Sequence, residues 1–171
     1  TTSSSKAETI RQNNQFAYIY ALCSILLAKN LENLESDKAR NVKMDRVLTK
    51  KLNQFKSLFP AQTEKMHTFA EMIKVCKSTD LGDRKLKLLV DLSCSAPFFP
   101  YQLKYDVIKF NEAYTEIGKL LKVEHSMIEK ILDARKTALT LHEPKKFTKN
   151  LMIGLGGAMI FGLGGWMIGP A

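Results

Sequence analysis

Side chains that could bind a metal or act as nucleophiles are spread thinly along this 171-residue chain. Its three histidines, His67, His125 and His142, lie far apart, and none has a second ligand at metal-binding spacing. No serine lies in a Gly-x-Ser-x-Gly turn, and no Gly-rich loop is followed by Lys-Ser or Lys-Thr that could cradle a phosphate. We therefore expect no active site, metal or cofactor within these residues. Whether a longer parent protein is an enzyme stays open.

The acidic and sulfur-containing residues also favour structural roles. Asp80, Asp83 and Asp91 lie near one another but lack the alternate spacing and the Gly turn of a calcium loop, so we expect helix caps and solvated positions. The chain has three cysteines, none in a Cys-x-x-Cys pair, and each lies in an apolar helical stretch: Cys23, Cys76 and Cys94. This pattern predicts buried, reduced thiols in a cytosolic domain.

Residues 151–171 form an uncharged run that contains seven of the nine glycines. About 20 apolar residues in a helix span the hydrocarbon core of a bilayer. Such a Gly-rich sequence makes a poor helix in water, but in lipid the backbone must bond to itself. Small residues at steps of four let helices approach closely, and they are Gly154, Ala158 and Gly162, then Gly165 and Gly169. We predict a membrane-inserted, tightly packed helix; the alternative is a buried Gly-rich hairpin in a soluble protein.

The formal net charge of +9 indicates an acidic partner, either nucleic acid or anionic lipid. The lysines are scattered, without an Arg-rich run or an aromatic RNA-binding motif, so we expect lipid and not nucleic acid. Basic residues precede the apolar run: Arg135, Lys136, Lys145, Lys146 and Lys149. Short basic flanks stay on the cytosolic side and can contact anionic headgroups. We therefore expect residues 1–150 to face the cytosol of a membrane that the sequence does not identify.

Helical periodicity without any alternating strand pattern predicts an all-α fold. Residues 1–7 are expected to be disordered and residues 8–143 to form the cytosolic helical domain, followed by a basic linker at 144–150 and the membrane segment at 151–171. The first helix is expected from about Ala7 to Leu34, and residues 35–43 are expected to form a loop. The result is an irregular or orthogonal bundle of about six helices followed by a Gly-rich membrane helix.

The apolar stripes predict which face of each later helix points inward. For the second helix, which ends before Pro60, these residues are Val47, Leu48, Phe55 and Leu58. Pro60 opens the third, with Met66, Phe69, Ile73 and Cys76. Asp83 caps the fourth, with Leu86, Leu89, Val90 and Leu92. The fifth carries Leu103, Val107, Phe110, Tyr114, Ile117 and Leu121, and the sixth, from Glu124 to about Leu141, carries Met127, Ile128, Ile131 and Leu132.

Three stretches, in the same order, resemble the transmembrane and coiled-coil domain-containing protein 4 family. They are residues 14–27, with Phe-Ala-Tyr and Ala-Leu-Cys; residues 88–93 with the helices of 101–123 and 124–135; and residues 145–155 running to 162–170. Trp166-Met-Ile stands where that family usually has small residues. The run from Leu88 to Ile131 is also similar to the tellurite-resistance TerB helical fold, but Ser95-Ala-Pro97 replaces its Asp-Gly metal turn, so no metal is expected.

The resemblance implies the N-terminal region of a larger membrane protein whose α/β-hydrolase-like domain, with any Ser nucleophile, follows Ala171. We therefore expect a non-catalytic helical interaction or regulatory module, anchored to a membrane and packed against a protein partner or other membrane helices. One alternative is a single-span accessory subunit of a multisubunit membrane complex. A second is a pore-forming protein whose Gly-rich segment oligomerises. The sequence after Ala171 and a lipid-leakage assay would separate these three.

Overall fold

The computed structural model describes residues 2–34, 38–95, 98 and 107–141. Seven helices account for most of these residues, and no strand occurs among them. The helices are α1 (Thr2–Leu34), α2 (Lys38–Leu58), α3 (Pro60–Thr63), α4 (Phe69–Ser78), α5 (Arg84–Ser93), α6 (Val107–Leu120) and α7 (His125–Leu141). The predicted all-α class is therefore confirmed.

Helix α1 is the centre around which the other helices pack. Almost every side chain from Phe16 to Leu31 is buried, on all sides of the helix, as expected for a helix inside a core. It contacts α2, α4, α5 and α6. A single helix with apolar residues all round can bury them only if several neighbours surround it, so this segment determines where the core lies.

The first helix begins at Thr2, earlier than the predicted start at Ala7, and residues 2–7 are helical where we predicted disorder. The difference has a local cause, because side-chain contacts within the helix support this exposed first stretch. The Thr9 hydroxyl donates to the Ser5 carbonyl at 3.0 Å, and the Arg11 guanidinium contacts Glu8 at 2.6 Å. Such i, i+3 and i, i+4 contacts support a helix without tertiary packing.

Helix α2 begins at Lys38, within the stretch predicted as a loop, and it ends before Pro60 as predicted. Its inward residues include Leu48 and Phe55, which are buried as expected. Leu58 is 46% exposed, contrary to the prediction, because it lies at the C-terminal end of α2, two residues before Pro60.

The predicted third helix is divided in two. Pro60 does open a helix, but α3 ends at Thr63, and α4 starts anew after Thr68, whose hydroxyl accepts from the Glu71 backbone N–H at 3.1 Å. The new start shifts the phase of the buried face, which includes Met72 and Cys76. Ile73, predicted to point inward, is therefore 37% exposed.

The acidic residues around α5 have three different roles. The Asp80 carboxylate accepts from the Gly82 N–H at 2.8 Å and closes the turn, where Gly82 has φ +58°. Asp83 occupies the position before α5, but its side chain makes no capping hydrogen bond, contrary to the prediction. Asp91 is buried beside Lys87 rather than solvated.

Helices α6 and α7 form a tight hairpin. Its core residues match the prediction, since Phe110 and Tyr114 are buried with ring centroids 5.8 Å apart, as are Ile117 and Leu121. Val107, predicted inward, is at the exposed start of α6, and Leu103 lies outside the described residues. At Gly118 the helices are so close that an added Cβ would lie 2.8 Å from Ile128 Cγ1, so a larger residue there would force the Ile128 side chain to move.

Candidate functional site

The residues predicted to act in the membrane fall outside the described residues. They are the small residues Gly154, Ala158, Gly162, Gly165 and Gly169 and the basic residues Lys145, Lys146 and Lys149. Within the described ranges no helix combines the length and apolar character needed to cross a bilayer, and no three His, Cys, Asp or Glu side chains come together as metal ligands. The candidate sites described below are therefore surfaces and side-chain clusters of the helical domain.

Arg135 is fully buried, although its place before the apolar run suggested a headgroup contact. Its Nε donates to the Ser93 carbonyl at 2.6 Å, and its Nη2 donates to the Phe98 carbonyl at 2.5 Å. The guanidinium carbon lies 3.7 Å from the centroid of the Phe110 ring. Desolvation lowers its pKa to about 9, so it stays charged at neutral pH. A cation beside the last carbonyls of α5 also interacts favourably with the negative end of the dipole of that helix.

The end of α5 is satisfied by further polar side chains inside the core. The Tyr114 hydroxyl donates to the Leu89 carbonyl at 2.6 Å, and the Ser93 hydroxyl donates to the Val90 carbonyl at 2.6 Å. Lys87 forms an ion pair with Asp91 one turn later on the same helix. Burial raises the pKa of Asp91 and that of Tyr114. This buried cluster joins α5, α6 and α7 and stabilises the break that follows Ser93.

The three cysteines are buried and free, as predicted. Two of them, Cys23 and Cys76, lie close together across the contact between α1 and α4. The neighbouring Cys76 thiol, and next burial, raise the pKa of the Cys23 thiol well above its ordinary value. Because the thiolate is the reactive form, this environment keeps Cys23 unreactive.

An open groove of about 840 Å³ is lined by the outer faces of α6 and α7 and by the end of α1. One part is apolar, formed by Leu34 at the end of α1, Leu132, and Ile108, which is 66% exposed. The remaining lining includes four carboxylates, Glu112, Glu116, Glu129 and Asp133; Glu116 contacts Lys119 of the same groove at 3.6 Å, and Glu129 contacts His125 at 3.0 Å. A groove with carboxylates and an apolar end can bind a basic, partly apolar segment.

Helix α2 carries much of the positive charge of the chain, although we predicted the lysines to be scattered. Its 21 residues include seven lysines or arginines and one aspartate, a net charge of +6. Arg46, Lys50 and Lys56 are exposed, whereas Lys51 is buried. Burial, and next the neighbouring Lys50, lower the pKa of Lys51 to about 8. Counting charge by helix, rather than over the whole chain, would have revealed this concentration.

Comparison with known proteins does not assign the chain to a family. No protein-family model matches it, and searches of curated proteins and of solved structures found no match.

Proposed function

We propose that this chain is a non-catalytic helical interaction or regulatory module, anchored to a membrane by residues 151–171, that precedes a lipase-like hydrolase domain in a longer protein. The observation that carries the anchor is the uncharged run with small residues at steps of four, next to Lys145, Lys146 and Lys149. The helical domain faces the cytosol, because basic flanks stay on that side.

The character of the helical domain supports an interaction role. The polar side chains around Arg135 are buried in the core, where their hydrogen bonds hold helices together. One open feature is the groove between α6 and α7, where exposed Ile108 lies near acidic side chains. A protein partner with a basic amphipathic segment complements that lining.

The anchor is tested by alkaline carbonate extraction of cells that express the full chain fused to a soluble reporter. Gly157→Arg together with Ile160→Arg places two charges in the middle of the run, each costing roughly 2.5–3.5 kcal/mol on translocon scales. We expect the parent chain to resist extraction and the double variant to be extracted. The matched control is Ile10→Arg with Ile108→Arg, at positions 54% and 66% exposed, which adds the same charge without changing extraction. Complete extraction of the parent chain at high pH would contradict the anchor.

Orientation has a separate test in the basic linker. Replacing Lys145, Lys146 and Lys149 with Glu removes the charge bias that sets topology. We expect the variant to remain in the carbonate-resistant fraction while protease protection of a reporter at the N-terminus becomes mixed. An unchanged single orientation would show that these lysines do not determine it.

The parent architecture is tested by the reading frame that follows Ala171. A downstream Gly-x-Ser-x-Gly turn in an α/β pattern supports the hydrolase-like parent, since that turn exposes the nucleophile. A stop codon shortly after Ala171 would favour the accessory subunit instead. Leakage of lipid vesicles caused by the purified chain would favour the pore-forming alternative.

A further inference from the structure

Helix α2 is the most basic of the helices that the structure describes. Seven of its 21 residues are lysine or arginine against one aspartate, so it holds +6 of the net charge of +9 of the chain. Concentration on one helix, rather than the total, is what produces a strong local field at a surface.

The packing of α2 leaves this basic side open. Met44, Leu48 and Phe55 are buried in the shared core, and among the described helices α2 packs mainly against α1 and the short α3. The exposed residues Val42, Arg46, Lys50, Asn53 and Lys56 follow one another at steps of four, four, three and three. At 3.6 residues per turn such steps keep side chains on one face of a helix. The outer face of α2, defined by these five residues, is therefore a continuous exposed strip.

We propose that the outer face of α2 lies against the anionic headgroups of the membrane that holds residues 151–171, as a second contact that orients the helical domain. This inference rests on the membrane anchor proposed above. The strip has the chemistry of a helix that lies on a bilayer, with basic side chains for the headgroups and Val42, 50% exposed, as an apolar contact. Helix α2 is about 31 Å long at 1.5 Å per residue, and a straight basic strip fits a flat negative surface.

The alternative acidic partner, nucleic acid, fits this strip less well. Proteins that bind single strands combine basic side chains with exposed aromatic rings on which bases stack. Among the exposed side chains that the structure describes on α2, none is aromatic. The aromatic residue of α2, Phe55, is buried in the core. The lipid surface is therefore the partner that this face matches.

The test measures the acylation of individual lysines by mass spectrometry in the full chain, reconstituted into vesicles. One set of vesicles contains phosphatidylcholine only, and the other also contains phosphatidylserine. We expect Lys50 and Lys56 to react about fivefold more slowly in the phosphatidylserine vesicles, the ratio that roughly 1 kcal/mol per headgroup contact supports. The exposed lysines Lys119 and Lys130, on α6 and α7, should react equally in both. High salt should abolish the protection.

Two variants control this result and keep Lys50 and Lys56 as reporters. Arg46→Glu with Asn53→Glu introduces negative charge on the outer face of α2 and should remove the protection. Lys119→Glu with Ser126→Glu makes the same change in net charge at exposed positions of the other helices and should leave the protection intact.

The failure of this inference differs from the failure of the anchor. If the chain is extracted from both kinds of vesicle by carbonate, the anchor fails and the α2 contact falls with it. If the chain stays inserted but Lys50 and Lys56 react equally in both, only the α2 contact is overturned. Protection of these lysines in detergent by a single-stranded oligonucleotide, without protection by phosphatidylserine vesicles, overturns it in favour of nucleic acid.

Discussion

The outer face of α2 and the buried cluster at the end of α5 use the same residue type for opposite purposes. Arg46 is exposed on α2, whereas Arg135 is fully buried and bound to two backbone carbonyls. Both lie within a helix. The comparison teaches that position within the packed helices, and not residue type or distance from the apolar run, decides whether a basic side chain can meet a membrane.

The largest expected effect comes from the aromatic floor of the buried cluster. Phe110→Ala removes a fully buried ring that packs under the Arg135 guanidinium and beside Tyr114. It should lower the free energy of unfolding by about 3–5 kcal/mol, the range for aromatic truncation in a core. Urea denaturation of a chain of residues 1–143, followed by far-UV circular dichroism, measures this loss. A change below about 1 kcal/mol, typical of surface positions, would show that Phe110 is not a core residue.

Arg135 should follow with a somewhat smaller loss. Arg135→Met keeps much of the side-chain length but leaves the Ser93 and Phe98 carbonyls without their guanidinium donor. Each buried unsatisfied polar group costs roughly 1–3 kcal/mol, so we expect a loss of about 2–4 kcal/mol by the same denaturation. Arg135→Lys should recover part of it through one donor. If Arg135→Met were as stable as the parent, Arg135 would belong with the exposed basic residues.

Lys51 sharpens the comparison, because it is a buried lysine on the basic helix. Its pKa in the folded chain is about 8, below the unfolded value, so the free energy of unfolding should rise with pH between about pH 8 and 10.5 as the buried amine loses its charge. Below pH 8 the amine is charged in both states, and the cost of burying it is fully present.

The Lys51→Met variant removes that cost. It should be more stable than the parent by on the order of 2 kcal/mol at pH 7, and the difference should shrink towards about pH 10. Denaturation at both pH values measures this, with exposed Lys50→Met as the matched control, which we expect to change stability by less than about 0.5 kcal/mol. An equal response of the two variants would mean that Lys51 is solvated like Lys50.

The smallest effect on stability is expected on the outer face of α2. Reversing Arg46, Lys50 and Lys56 to Glu should change the free energy of unfolding by less than about 0.5 kcal/mol per site, because these side chains are exposed and have no partners among the described residues that hold the core. The same denaturation assay tests this. A large loss would show that these residues support the fold and would weaken their assignment to a partner surface.

Much of the core followed from local periodicity, whereas the starts of α1, α2 and α4 did not. The stripe through Phe110, Tyr114, Ile117 and Leu121 is buried as predicted, because an uninterrupted amphipathic helix has a single phase. Ile73 was wrongly predicted to point inward, because the helix that begins at Pro60 ends at Thr63. A new helix begins after Thr68, with its buried face in a different phase. A Thr with Glu three residues later could have revealed that second start.

The candidate membrane site divides in the same way. The uncharged, Gly-rich character of residues 151–171 and the lysines before them are visible directly in the sequence. Their membrane role stays a prediction. The groove between α6 and α7 and the open side of α2 depend on which helices pack together, so they could not be located from the sequence alone.

The all-α class and the buried cysteines could be predicted without a structure, because they follow from periodicity and hydrophobicity along single segments. By contrast, the capping of α5 by Arg135 from α7, the burial of Lys51 and the exposure of Arg46 and Lys50 depend on how the helices pack in three dimensions. Burying a charge costs free energy unless hydrogen bonds compensate, and the carbonyls that compensate Arg135 come from residues about 40 positions away in the chain.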